Sequence, residues 1–443
     1  MSIASLTSEQ TASELAATIA SGVTTSVLAT EAAIARIEKL DETINAVVIR
    51  DFDSARQQAR DADARLAKGD TAPLLGVPMS VKESFNVAGL QTTWGIKGVT
   101  IKPAEDDSAV VRRLKTAGAV ILGKTNIPTL LTDWFADNPV YGQTNNPHDL
   151  KRSPGGSSGG AAAAVASGMV ACEYGSDIGG SIRVPAHYCG IWGHKPTYGV
   201  VSQQGHTPPG VNEGADTALA VVGPLARSAD DLELLLEATL DRPLVKETKA
   251  LKDARILLLL DHPSVSLGDA MRRQIEDLVS LIEDAGAEVV RETDLLPNLD
   301  EQHRNYMRML NIAVTAGAPR SDGSQSTVRD WFDLTDAQFR NQSVWSGLFA
   351  EFDYVLAPVS STPAFAHDPR PMKVRTYTVD GIEKPFSEQL AWAGLVTFPG
   401  LPATVLPMGT VDDMPVGVQL IGDQYQDYKT IDGARQIGTL LGV

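Results

Sequence analysis

Hydrophobic and polar positions along the chain follow two periods, one typical of amphipathic helices and one typical of short buried strands. Helical spacing is found over residues 13–22, after Thr25, and over 55–66, 108–118 and 269–286. Apolar runs typical of strands stand at 45–49, 78–81, 119–122, 255–260, 288–290, 354–356, 403–406 and 416–421, and a polar stretch at 318–327 is typical of a surface loop. Strand–helix–strand units favour parallel pairing with both sheet faces covered, so the pattern predicts one large α/β domain.

Composition and charge exclude several classes of protein. Of the 443 residues, 43% are hydrophobic and 21% charged, which argues against disorder, and no apolar run approaches the ~20 residues of a membrane span. A net charge of −17 without a basic block argues against nucleic acid or an anionic membrane as partner. Two cysteines, Cys172 and Cys189, do not make a disulfide framework or a zinc site, and no signal peptide pattern opens the chain. We therefore expect a cytoplasmic protein without metal or other cofactor.

The first candidate site is Ser181, which follows two glycines in the stretch GSDIGGSIR of residues 175–183. Two glycines allow a sharp turn that leaves successive backbone N–H groups pointing at one spot, as in an oxyanion hole beside a nucleophile. An ordinary tight turn uses the same glycines. The pattern alone therefore leaves both interpretations open.

A nucleophilic serine needs a base, and the sequence offers two kinds. The chain places four histidines nearby, namely His148, His187, His194 and His206. A lysine serves instead if burial or a neighbouring cation lowers its pKa by several units. Lys82 directly follows the predicted buried strand at 78–81, which gives it a route to burial. A solvated lysine at a strand end is the alternative.

The stretch SPGGSSGG at residues 153–160 matches the G-x-S-x-G pattern of the nucleophile elbow. That elbow needs a strand running directly into the serine turn, whereas residues 146–152 are typical of a loop. A phosphate-binding loop fails as well, because no Gly-Lys-Ser/Thr closes the stretch. The pair of serines ahead of an alanine-rich helix therefore needs another explanation.

These stretches together resemble the amidase signature hydrolases. The resemblance runs in order through KTNIP (124–128), NPVYGQTNNP (138–147), SPGGSSGG, GSDIGGSIRVPA (175–186), HKPTYG (194–199), GPLARSADDL (223–232), FDYVLAPVSSTPA (352–364), GLPATVLP (400–407) and PVGVQLIG (415–422). It implies one amidase domain over residues 1–443, with a signature core at about 75–235 and a more variable segment at about 240–345. The fold it implies is a mixed, mostly parallel sheet covered by helices on both faces.

The resemblance also implies a reaction, hydrolysis of a carboxylic amide, or of an ester, through a seryl acyl-enzyme. Ser181 matches the nucleophile and Lys82 the base, and Ser157, whose peptide bond is cis in the family, passes the proton between them. The other matching positions are Ile178, Gly179 and Gly180 as backbone donors to the oxyanion, Ser158, Asp177 and Arg183 as supporting residues, and Leu131, Thr132 and Trp134 as the acyl pocket. Loop packing and an ordinary core cluster are the alternatives for the last two groups.

Departures from the family pattern are few. This chain has His187-Tyr188-Cys189 where a phenylalanine often precedes the cysteine, and His194 where leucine is common, and we expect these residues to be structural. An apolar or aromatic acyl group fits the matching pocket positions.

Two further functions stay open beside a free-standing amidase with a small-molecule amide substrate. One is the glutamine-hydrolysing component of an aminoacyl-tRNA amidotransferase, which needs partner subunits. The other is a binding protein without catalysis, which the intact Lys82, Ser157 and Ser181 disfavour. A homodimer is compatible with the sequence, and we expect neither nucleic acid nor a membrane as partner.

Overall fold

The computed structural model describes residues 10–98, 101–319 and 323–443. Residues 1–9, on which the signal-peptide prediction partly rests, and residues 320–322 of the predicted polar loop lie outside the described residues. The helices are α1 (Ala12–Ala20), α2 (Ser26–Ile44), α3 (Phe52–Leu66), α4 (Ala109–Thr116), α5 (Gly159–Ala166), α6 (Arg183–Cys189), α7 (Ala229–Thr239), α8 (Asp269–Asp284), α9 (Leu299–Thr315), α10 (Val328–Phe349), α11 (Leu390–Thr397) and α12 (Asp427–Leu441). The strands are β1 (Val47–Arg50), β2 (Pro78–Lys82), β3 (Val120–Thr125), β4 (Asp137–Asn138), β5 (Gly142–Gln143), β6 (Cys172–Asp177), β7 (Trp192–Lys195), β8 (Val221–Ala226), β9 (Arg255–Leu258), β10 (Glu288–Val290), β11 (Tyr354–Pro358), β12 (Thr376–Val379), β13 (Ile382–Pro385), β14 (Ala403–Val411) and β15 (Met414–Ile421).

The predicted elements form where the hydrophobic pattern placed them, with ends that differ by a few residues. Helix α8 buries the predicted positions at helical spacing, among them Met271 and Ile275. Helix α4 is capped by Ser108, whose hydroxyl accepts from the N–H of Val111. Helix α1 begins earlier than predicted, because Thr11 forms a capping box with the third helical residue. The described residues of the predicted polar loop at 318–327 have neither helix nor strand.

The large sheet confirms the α/β fold with a mixed sheet. Its eight strands run in the order β10-β9-β11-β15-β14-β7-β8-β6. Strands β10, β9 and β11 pair in parallel, whereas the pairs from β11 to β6 are antiparallel, a larger antiparallel share than strand–helix–strand units predict. One cause is the turn between β14 and β15, where Asp412 and Asp413 have φ of 51° and 60°. Two successive left-handed residues close a tight hairpin, which makes its strands antiparallel.

A smaller sheet, in the order β1-β3-β2, carries the predicted lysine. Helix α5 packs against β2 and β3 of this sheet and against β6 and β8 of the large one. The helix is buried from Gly159 to Val165, and only small residues let it pass. A Cβ at Gly160 would lie 2.3 Å from the backbone nitrogen of Asn126. The alanine-rich sequence thus brings the serine turn before α5 close to both sheets.

Burial decides the role of the two cysteines. Cys172 and Cys189 are free thiols in the core, and burial raises the pKa of each. The structure thereby confirms them as packing residues. Among the described residues, no helix has the length and apolar character needed to cross a membrane.

Candidate active site

Lys82, the last residue of β2, is fully buried and reaches three serine hydroxyls. Its Nζ lies 2.6 Å from Oγ of Ser157, 3.0 Å from Oγ of Ser158 and 2.9 Å from Oγ of Ser176. The peptide bond between Gly156 and Ser157 is cis. The structure thus brings Lys82 together with both serines of the pair. Sequence reasoning missed Ser176, although it lies inside the quoted GSDIGGSIR stretch.

Burial changes the charge that Lys82 carries near neutral pH. It lowers the pKa of this amine from 10.5 to about 7, although the nearby carboxylates of Asp177 and Glu173 act in the opposite direction. Burial also raises the pKa of the Glu173 carboxyl to about 8, against a hydrogen bond of 2.8 Å from Oγ1 of Thr125. An amine with a pKa of about 7 is neutral in roughly half of the molecules at pH 7, so it can accept a proton.

Asp177 and Arg183 form a fully buried ion pair behind the serine turn. Nη2 of Arg183 lies 2.9 Å from Oδ1 of Asp177, and Nε lies 3.0 Å from Oδ2. Burial acts to raise the pKa of Asp177, but the guanidinium outweighs it and lowers this pKa to about 2. Arg183 also donates to the carbonyl of Ala393 in α11 and to Gln419 in β15. The pair thus ties the loop after β6 to two distant elements.

The loop of residues 178–181 was predicted to supply backbone donors to an oxyanion. The N–H of Gly180 donates to Oδ1 of Asp177 at 2.9 Å, so in this structure it already has a partner. The N–H groups of Gly179 and Ser181 donate no hydrogen bond within the part of the chain that the structure describes. These two groups are the donors that stand free in the loop.

A cavity of about 310 Å³ opens at this loop, and both Ser157 and Ser181 line it. The three predicted acyl-pocket residues, Leu131, Thr132 and Trp134, line it as well. Ile178 and Gly179 border the cavity, whereas Gly180 and Arg183 do not. The rest of the wall is mostly apolar and includes Trp94, Leu130, Leu310, Val314, Met372 and Leu390.

One histidine lies at this cavity among the four that the sequence offered as bases. Nε2 of His206 is 2.9 Å from Oγ of Ser84, and its ring packs on Phe85 and Trp94. Burial and the charge of Lys82 lower the pKa of His206 to about 3, so this ring is neutral at pH 7. Its hydrogen bond to Ser84 leaves the triad serines to the lysine.

The other histidines have structural partners. His148 bonds to the carbonyl of Cys189, and His187 lies between backbone groups of Gly417 and Thr362. His194 lies between Thr404 and Asp427, which fits the expected structural role. Over the described ranges of the chain, no group of three or more His, Cys, Asp or Glu side chains is placed to hold a metal ion.

The G-x-S-x-G match is not a nucleophile elbow. Turns and extended residues, and no strand, lead from residue 146 to Ser158, after which α5 begins. Ser158 is fully buried and its hydroxyl lies against Lys82. The geometry agrees with the interpretation made from the loop composition.

Comparisons with known proteins agree with this architecture. The family model described as Amidase matches residues 29–344 and 317–431. AmiB2 of Mycobacterium tuberculosis, assigned as an amidase, is 33% identical over 448 residues, which cover 95% of this chain and 93% of that protein. One of the subunits of the glutamyl-tRNA(Gln) amidotransferase from a Roseiflexus species is 33% identical and covers 92% of this chain and 91% of its own length.

Solved structures give the same result. A fatty acid amide hydrolase superposes with a TM-score of 0.84 at 25% identity, over 100% of this chain and 86% of that protein. The family match and the relatives extend over nearly the whole chain and include both serine stretches. The chain therefore belongs to the amidase family and is an amide-hydrolysing enzyme.

Proposed function

We propose that this enzyme cleaves its amide through a covalent acyl-enzyme on Ser181, with Ser157 as proton bridge and Lys82 as base. The observation that carries the proposal is the position of Lys82, fully buried with Nζ 2.6 Å from Oγ of Ser157 and a pKa of about 7. A neutral amine in hydrogen-bond contact with a hydroxyl is what a lysine base requires.

The reaction proceeds in two halves. Neutral Lys82 takes a proton from Ser157 while Ser157 takes one from Ser181, whose Oγ forms a bond to the amide carbonyl carbon. The N–H groups of Gly179 and Ser181 donate to the oxygen that becomes negative, and such donors are worth roughly 3–4 kcal/mol each. Ser157 then gives a proton to the leaving nitrogen and regains one from Lys82, and the C–N bond breaks.

Water completes the cycle. It attacks the ester on Ser181 through the same relay, releases the acid and returns the proton to Ser181. The hydrogen bond from Gly180 to Asp177 holds the loop in place, and we keep Gly180, like Ile178, as an additional predicted donor.

The walls of the cavity favour an amide with an apolar or aromatic acyl group. Among the described residues that line it, none is lysine or arginine. Its two carboxylates have partners outside the cavity, since Asp133 pairs with Arg375 at 2.7 Å and Asp177 with Arg183 at 2.9 Å. An acyl group that carries its own carboxylate therefore finds no cation in this wall, whereas Leu131 and Trp134 offer apolar contact.

The amidotransferase relatives support a second candidate function, hydrolysis of glutamine within a multi-subunit complex. The Roseiflexus protein matches this chain at 33% identity, as AmiB2 does. Release of ammonia from glutamine, by the chain alone or with co-purified partner proteins, would support this function. We expect release from simple aryl or alkyl amides and none from glutamine.

The test is labelling with a fluorophosphonate, located by peptide mass spectrometry. We expect the tag on Ser181, and no tag in Ser181→Ala or Lys82→Ala. Ser26→Ala is the matched control, because Ser26 is a fully buried serine whose hydroxyl donates to the carbonyl of Gly76 away from the site. A tag on Ser158, or labelling that persists at the wild-type rate in Lys82→Ala, would contradict the proposal.

Several finer statements stay predictions. They are the cytoplasmic location, a homodimer, and the division into a core at about 75–235 and a variable segment at about 240–345.

A further inference from the structure

Two aromatic side chains from distant parts of the chain hold the carbonyls of the loop at residues 178–181. Nε1 of Trp134 donates to the carbonyl of Gly179 at 2.8 Å. The hydroxyl of Tyr306, in α9, donates to the carbonyl of Ile178 at 2.9 Å. Both side chains are buried. The loop is therefore fixed from its carbonyl side, away from the free N–H groups.

Each carbonyl shares a rigid peptide unit with the next N–H. In a planar trans unit the C=O and the N–H point in opposite directions, so a fixed carbonyl also fixes the N–H. The carbonyl of Ile178 belongs to the unit that contains the N–H of Gly179, the group without a partner among the described residues. The carbonyl of Gly179 belongs to the unit of the Gly180 N–H, which donates to Asp177. Tyr306 therefore sets the direction of the free donor.

The position of Tyr306 is itself tightly determined. Its ring lies against the backbone of Gly394 in α11, where an added Cβ would come 2.4 Å from the ring. One helical turn earlier, Gln302 donates to the carbonyl of Leu395 at 2.9 Å and accepts from Nε1 of Trp345 at 3.0 Å. These contacts tie α9 to both α11 and α10. The hydroxyl of Tyr306 thus has little freedom to leave the carbonyl of Ile178.

We propose that Tyr306 is a positioning residue that aims the N–H of Gly179 at the negative oxygen of the tetrahedral intermediate. The inference rests on the proposed acyl-transfer function. Tyr306 is absent from the wall of the cavity, so it acts through Gly179 and does not touch the substrate. Its loss therefore lowers the rate of bond formation and leaves substrate binding and the titration of Lys82 unchanged.

The experiment measures how fast a fluorophosphonate labels Ser181, because the phosphonyl oxygen occupies the same position as the oxyanion. Tyr306→Phe removes only the hydroxyl and is expected to slow labelling about tenfold at every pH, with the midpoint of the pH profile unmoved. Replacement by 4-aminophenylalanine retains a donor at that place and is expected to restore most of the rate. Once an amide substrate is found, kcat is expected to fall and KM to stay.

The matched control is Tyr354→Phe. Tyr354 is also fully buried, and its hydroxyl donates to a backbone carbonyl, that of Lys429 at 3.1 Å, away from the loop. Both variants lose a similar hydrogen bond, so their melting temperatures should fall alike while only Tyr306→Phe labels slowly. Equal labelling rates in the wild type and Tyr306→Phe, or equal slowing in both variants, would overturn the inference. A wild-type protein without a tag on Ser181 would overturn the proposed function itself.

Discussion

Lys82 should cost the folded protein stability, and Lys82→Met should reveal how much. The pKa of about 7 in the folded protein lies about 3.5 pH units below the value of 10.5, which corresponds to roughly 5 kcal/mol favouring the neutral amine. Between these two pKa values the unfolded chain binds one proton more than the folded chain. The free energy of unfolding of the wild type should therefore rise with pH, by about 1.4 kcal/mol per pH unit from pH 7 upward.

Lys82→Met lacks this proton, so the difference between the two proteins isolates the lysine. At pH 6 the variant should be the more stable, because it buries no ammonium group, and its advantage should shrink as the pH rises. For a chain of this length about 1 kcal/mol corresponds to about 1 °C in Tm. From pH 7 to pH 9 the wild type should therefore gain about 3 °C relative to Lys82→Met in thermal unfolding.

Activity should show the same titration from the other side. Labelling of Ser181 in the wild type should rise with pH around a midpoint of about 7, as Lys82 loses its proton. The exposed Lys68→Met serves as control for the loss of one lysine. A Tm difference between wild type and Lys82→Met that is constant from pH 6 to 9.5 would refute the reasoning, since it would mean that Lys82 does not change charge there.

Two further substitutions test the packing behind the site. Gly160→Ala should prevent folding or lower Tm strongly, because its Cβ would meet the backbone of Asn126 at 2.3 Å, whereas Gly347→Ala, with open space in exposed α10, should be neutral or stabilise by up to about 1 kcal/mol; equal Tm values for both variants would contradict the close approach. Arg183→Met leaves a buried carboxylate without its cation, so it should destabilise by about 3–5 kcal/mol in urea unfolding, and a loss below about 1 kcal/mol would show that the ion pair is not essential.

The sequence predicted the strands and helices whose buried positions follow a clear period, such as α8 and β9. It did not predict β6, because this strand contains Glu173, Ser176 and Asp177 on fully buried positions. These polar side chains serve Lys82 and Arg183, so the apolar pattern that identifies a strand is absent where the site is built. Buried polar residues find their partners only in the folded chain.

The candidate site was predicted largely through short motifs and the resemblance they carry. Lys82, Ser157 and Ser158 meet as expected, and Leu131 and Trp134 line the cavity beside Ser181. The contact from Tyr306 to Ile178 spans 128 residues, so no local pattern announces it. The partner of the Gly180 N–H was missed for a different reason, since a turn of glycines does not reveal which amides a neighbouring carboxylate takes.

Helix α9 serves the loop and the cavity at once, which constrains how this enzyme can acquire new substrates. Tyr306 holds the loop at one position of the helix, while Leu310 and Val314, one and two turns further on the same face, line the cavity. Exchanging either of these two side chains alters the shape of the pocket and keeps Tyr306 in register. Inserting or deleting a residue within α9 rotates the positions beyond it by about 100° and separates these two tasks. Diversification of this enzyme is thereby directed toward substitutions in α9, and length changes belong in the loops at its ends.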